Sequence, residues 1–170
     1  MIGYEIELHG LEEQLAKLAQ FDRIADKRLV TAMHQATITV ESAVRPLAPV
    51  GVSGRLRNSI ASQVTHEGPL SVVGKVGSTL KDEVYPAVME FGRKPGKMPP
   101  YSEGTPLARW VHLVLGDAIG AFVVARGIGR RGIKGKFFMK RGWEQSKGRV
   151  QGFFETALQL IAKDLENGRR

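Results

Sequence analysis

Between Leu29 and Val44 the apolar residues Leu29, Ala32, Met33, Ala36, Val40 and Val44 recur at helical spacing, and Pro46 and Pro49 forbid a continuation. Such a helix gains little stability alone in water and must lay its stripe on another element. The β-branched run Thr37, Ile38 and Thr39 lowers local propensity, so packing has to hold that turn. A second stripe closes the chain: Val150, Phe154, Ala157, Leu158, Ile161 and Leu165 share one helical face, ended by Asn167-Gly168. The stripe beginning at Val150 is expected to pack on a sheet.

The strands for that sheet are legible. In "IGYEIEL", Ile2, Tyr4, Ile6 and Leu8 alternate with Glu5 and Glu7, a half-buried strand stopped by Gly10. Leu11, Leu15 and Leu18 then suggest a short helix. Ile60 to His66 and Leu70 to Ser78 form two strands joined at "EGP", while "EVYPAVMEFG" reads as a short extended or turn-like segment. "APVGVSGRLRNSI" and "GRKPGKMPPYSEG" are loops by their prolines and glycines, with Gly54 and Gly92 expected at structural turns. Thr105 and Pro106 supply the N-cap and first-turn proline of a helix with Leu107, Trp110, Val111, Val114 and Leu115 on its apolar face, ending at Gly116. Asp117 can cap a further helical segment holding Ile119, Phe122 and Val123. The expected class is α+β: a small antiparallel sheet packed by a long N-terminal helix and a C-terminal amphipathic helix. The length of 170 residues predicts one domain, with residues 101–141 forming a helical segment and a basic arm.

Charge is concentrated in one place. From Arg126 to Arg149 there are nine cations and one acid, Glu144, so this stretch accounts for 9 − 1 = +8, the whole net charge of the chain. Within it, "RGIGRRGIKGKFF" combines cations with Gly127, Gly129, Gly132 and Gly135, which predicts a segment flexible before it docks. Two readings of it remain open. Phe137, Phe138 and Trp143 can stack on bases while the cations meet phosphates, or Phe137, Phe138 and Met139 can fill an apolar gap while the cations are solvated.

Enzyme chemistry finds little support. The formal G-x-G-x-x-G at Gly127 to Gly132 lacks Rossmann context, because "IKGKFFMK" is a poor helix start and Glu144 comes too early for a ribose contact. His9, His34, His66 and His112 are scattered without metal-ligand spacing, and there is no cysteine. Glu90 in "MEFG" has no second carboxylate placed for acid–base work. Ser53 and Ser59 lie in a polar loop without a nucleophile-elbow sequence. The acidic N-terminus argues against a secretion signal, and no apolar run reaches the roughly 20 residues of a membrane span. No catalytic residue, cofactor, metal or membrane contact is expected.

Several blocks together resemble a family of bacteriophage neck proteins, the tail-completion or head–tail connector components of long-tailed phages. "LAPVGVSGRLRNSI" resembles that family's "APVDTGRLRNSI" block, with Val52 in place of the aspartate and Ser53 in place of the threonine. "YPAVMEFG" resembles its tyrosine-rich turn before "EFG". "GIKGKFFMKRGWEQ" resembles its "RGT…PFLRPA" block without the proline, and "PLARWVHLVLG…AFVVARGIGRRGIKG" resembles the helical insertion of longer members. The resemblance spans roughly residues 10 to 165, with all blocks in order. It implies a virion structural protein of the neck or tail, made in the host cytoplasm. It also implies a homo-oligomeric ring, expected to be hexameric, that touches other neck and tail proteins and has DNA passing through it. Arg126, Arg130, Arg131, Lys134, Lys136, Phe137, Phe138, Lys140 and Arg141 are then the expected assembly or DNA-channel contacts. The alternative is a freestanding, non-specific nucleic-acid-binding module that uses residues 126–149.

Overall fold

The computed structural model of the protein describes residues 2–6, 22–68, 70–82, 84–116 and 120–167. The helix suggested by Leu11, Leu15 and Leu18, and the residues Asp117 and Ile119, lie outside the described residues. The described chain is α+β, the class read from the sequence. In order it runs β1 (Ile2–Ile6), α1 (Asp22–Val44), a 3-10 turn (Arg45–Leu47), α2 (Arg55–Ser59), β2 (Ile60–Gly68) and β3 (Ser71–Ser78). It continues through α3 (Val84–Phe91), β4 (Gly92–Arg93), α4 (Pro106–Leu115), α5 (Ala121–Arg131), β5 (Ile133–Lys134) and α6 (Phe138–Asn167).

β3 is the centre of a three-stranded antiparallel sheet ordered β1-β3-β2. Ile2 and Ile60 both stand opposite Ser78, and the β2–β3 ladder is irregular between His66 and Gly68. The hairpin tip is tied to α1 by Asp26, whose Oδ1 accepts the Leu70 N–H at 3.1 Å and lies 2.7 Å from His66 Nε2. α1 covers the sheet with its expected stripe: Leu29, Ala32, Met33, Ala36, Val40 and Val44 are all buried. Thr37 joins them and resolves its hydroxyl by donating to the His34 carbonyl, so a β-branched residue is accommodated inside the helix.

α6 runs antiparallel along α1, with Val44 beside Gly142 at one end and Arg28 paired with Asp164 at 3.1 Å at the other. Val150, Phe154, Ala157 and Ile161 are buried, and the main neighbour of this stripe is α1 rather than the sheet on which it was expected. The helix also begins at Phe138, well before Val150. "IKGKFFMK", read as a poor helix start, ends in its first residues, Phe138 to Lys140, because Phe138, Met139, Gly142 and Ser146 extend the same buried face.

Two further expectations are corrected. "VYPAVMEF" is helical, not extended. Pro86 sits in the first turn, where its missing N–H costs nothing, and Asp82 Oδ1 accepts the Val84 N–H at 3.1 Å. The glycine-rich stretch at 126–131, expected within a loop-like arm, is helical and forms the second half of α5; the formal dinucleotide pattern is helix, followed by a strand residue pair.

Candidate assembly surface

The loop after α1 is built by its own sequence. Gly54 adopts φ 63°, a left-handed conformation that disfavours side chains, and opens α2 by accepting the Asn58 N–H at 2.9 Å. Arg57 then reaches back, donating to the carbonyls of Pro46 at 3.0 Å and Ala48 at 3.3 Å. Leu56 and Ile60 are buried on either side of it, and the Ser59 hydroxyl meets that of Ser78 at 2.8 Å. "GRLRNS" is therefore a structural stitch between helix, loop and sheet. Tyr85 of α3 abuts this loop, its hydroxyl 3.9 Å from where a Cβ on Gly51 would stand, and partial burial raises its phenol above the ordinary range.

A second stitch joins α3 to the start of α6. Glu90 is only 2% exposed, and its carboxylate accepts the N–H groups of Met139 at 2.9 Å and Lys140 at 3.1 Å. These are first-turn amides of a 30-residue helix, which have no partner inside the helix and carry its positive dipole end. The residue before the helix, Phe137, cannot cap with its own side chain; it sits at φ 49° and its carbonyl accepts the Arg141 N–H. Backbone bonds complete the join: Lys136 N–H to the Met89 carbonyl at 2.9 Å, and Phe137 N–H to the Glu90 carbonyl at 3.0 Å. Gly92, at φ 82°, allows β4 to meet β5 so closely that a Cβ would lie 2.4 Å from the Ile133 carbonyl oxygen.

This clamp separates the residues named from the sequence. Phe138 and Met139 enter the core, whereas Phe137 stays outside, 45% exposed. Arg126, Arg130 and Arg131 lie on the second half of α5, Lys134 on β5, Lys136 in the link, and Lys140 and Arg141 on the first turn of α6; all seven are exposed. Further along α6, Glu144 is paired with Lys147, and that hydrogen bond and charge, with a smaller effect of Lys140, lower its pKa. Among the described residues no cluster of histidine and carboxylate side chains is suited to hold a metal, and no helix is long and apolar enough to cross a membrane.

The surface also holds large apolar residues. On α4, placed by the Thr105 cap, only Val111 of the apolar face is buried; Trp110, Val114 and Leu115 are exposed, as is Leu113 at 58%. The start of α5 adds Phe122 and Val123, with Phe122 meeting the edge of Tyr101 at 5.4 Å between ring centroids. Sequence periodicity found the stripe on α4 but could not tell that, among the described residues, most of it is left exposed. Glu90 was missed as a functional residue; its signal was a lone acid inside an apolar run, which usually means a buried partner.

The family model described as "Bacteriophage HK97-gp10, putative tail-component" matches residues 10–103. The match takes in the "GRLRNSI" stitch and Glu90 and stops before α4. No curated protein and no solved structure matches the chain. With more than half of its length matched, and with the stitched blocks forming the frame of its fold, the chain belongs to the HK97-gp10-like family of bacteriophage tail components.

Proposed function

We propose that the protein forms a homo-oligomeric ring, expected to hold six subunits, at the head–tail junction or tail top, with the genome passing through its opening. Membership of a tail-component family gives it a structural role in the virion, and the family is not one of enzymes. The observation that carries the ring is the uncovered apolar face of α4 and the start of α5. Monomeric proteins rarely leave Trp110, Leu113, Val114, Phe122 and Val123 together in solvent, and such patches mark interaction sites.

Charge supports a particular kind of contact. Arg109 stands one turn from Leu113, and Arg126 one turn from Phe122 and Val123. A two-fold contact through this face would bring the arginines of both copies together. A head-to-tail contact joins the face to a different surface of the next copy, and contacts of that kind make rings where the rotation between copies closes. The same face serves contact with other neck and tail proteins.

Mass photometry of the full chain, alone and with the adjoining neck and tail proteins, tests the reading. Rings are expected for the parent. Leu113→Asp with Val123→Asp, both at exposed positions, should leave the subunit folded and abolish assembly. Assembly unchanged in the double variant removes this face as the interface. A chain that stays monomeric in every mixture yet binds duplex DNA would establish the freestanding module instead.

A further inference from the structure

Several cations elsewhere in the fold have partners. Arg28 meets Asp164, Arg45 meets Glu41, and Arg57 donates to backbone carbonyls. Between Arg126 and Arg141 there is no acid at all. The exposed residues of that stretch are Arg126, Arg130, Arg131, Lys134, Lys136, Lys140, Arg141 and Phe137, so seven of eight are cations. None of the seven forms an ion pair with a described residue. Like charges set side by side repel, and a segment free to move would spread them. Here they are held: by the Lys136 and Phe137 backbone bonds, by the β4–β5 pairing and by Glu90 on the start of α6.

We infer that this pre-positioned belt binds the sugar–phosphate backbone of duplex DNA without reading its sequence. A protein partner is the poorer match, because the centre of a protein–protein interface is apolar and depleted in charge. The densest run of exposed apolar side chains lies on α4 and at the opposite end of α5, while the belt itself exposes Phe137 alone among its apolar residues. Base reading is also poorly served. The cations sit on α5, β5 and α6 instead of on one helix that could enter a groove. The start of α6 offers no amide site for a phosphate, since Glu90 already occupies the Met139 and Lys140 N–H groups. Contact therefore falls to the side chains, a diffuse electrostatic grip that suits DNA moving past a wall. The ring reading supplies only the place where the DNA lies; the binding belongs to the subunit.

The experiment is fluorescence anisotropy of two labelled duplexes of unrelated sequence, titrated with the full chain across a salt series. Equal affinity for both and a steep fall with salt are expected, each neutralised phosphate adding about 0.9 to the log–log slope. Arg126→Gln, Arg130→Gln and Arg131→Gln combined should lower that slope by up to about 2.7, three such contacts. Lys27→Gln with Lys163→Gln, exposed cations outside the belt, should leave it unchanged. All variants should keep the parent's unfolding midpoint. The inference is overturned by no binding at low salt, by discrimination between the duplexes, by a parental slope in the triple variant, or by tighter binding of polyglutamate than of DNA. Mass photometry on the same triple variant separates the two readings. Rings without DNA binding by the parent sink the belt and leave the ring standing, and DNA binding without rings does the reverse.

Discussion

Glu90 Oε2 accepts the backbone N–H of Met139 at 2.9 Å, joining α3 to the first turn of α6 across 49 residues of sequence. The bond is buried, and its twin to Lys140 uses the second oxygen. A carboxylate here answers two needs together: it satisfies amides that have no helical partner, and it faces the positive end of the helix dipole. Glu90→Ala should destabilise the subunit by about 1–3 kcal/mol, the range for a buried group left unsatisfied and comparable with the loss of a strong helix cap. Urea unfolding measures it. A midpoint equal to the parent's would show that water or a neighbouring group replaces the carboxylate.

The same clamp makes a prediction about motion. In the isolated subunit the amides of Gly132, Lys136 and Phe137 should exchange slowly, because each donates to a carbonyl of the same chain at 2.8 to 3.0 Å. Hydrogen exchange read by mass spectrometry or NMR checks this before any assembly. Glu90→Ala should speed exchange at Lys136 and Phe137 more than at Gly132, whose acceptor is Ile128 within α5. Rapid exchange throughout the parent would restore the flexible arm that the glycines suggest.

The contrast between that suggestion and the fold shows what sequence reading sees. Periodicity located α1 residue by residue, since one helix face and one proline break are local facts. It missed the first turns of α6, because Gly142 and Ser146 look like interruptions when they are buried members of the face. Their reason is the neighbour, α1, and no window along the chain contains it. "EVYPAVMEFG" reads as extended or turn-like, whereas its Pro86 is a first-turn proline of α3. For the surface, the cations of 126–141 were legible as charge, while their fixed placement was not, as it depends on Glu90 and Gly92 far upstream. The α4 stripe was visible, but only packing reveals that the described residues bury Val111 and leave most of the stripe exposed.

Gly142 provides a test in which two effects oppose each other. Alanine in a helix interior is ordinarily favoured over glycine by about 1 kcal/mol. Here a Cβ would stand 2.4 Å from Val44 Cγ2 and 2.8 Å from Val44 Cα. The side-chain methyl can turn aside, but the backbone of α1 cannot without moving the helix. Overpacking of this kind costs about 1–3 kcal/mol, so Gly142→Ala should be net destabilising. Gly148→Ala on the same helix, where a Cβ meets nothing within 4 Å, is the control and should be neutral or stabilising. If the two variants unfold alike, the α1–α6 separation adapts and close approach is not a requirement of the fold.

The last prediction concerns pH. Glu144 is held below the ordinary glutamate pKa, first by the hydrogen bond from Lys147, then by its charge, with a smaller share from Lys140. A carboxylate whose pKa is lower in the folded state favours folding at pH above its unfolded value, and that advantage disappears as pH falls through the folded value. Both side chains are half or more exposed, so solvent and salt screen the pair and its effect on overall stability should be small. The titration itself is the better observable. Followed by carboxyl-detected NMR, the Glu144 midpoint should lie below 4.5 in the parent and rise with Lys147→Gln. Lys140→Gln should raise it less, because Lys140 acts through charge alone. Added salt should narrow the difference between parent and Lys147→Gln. An equal shift from both lysine variants would mean that the general field of the basic segment, not the Lys147 hydrogen bond, sets the carboxylate's titration.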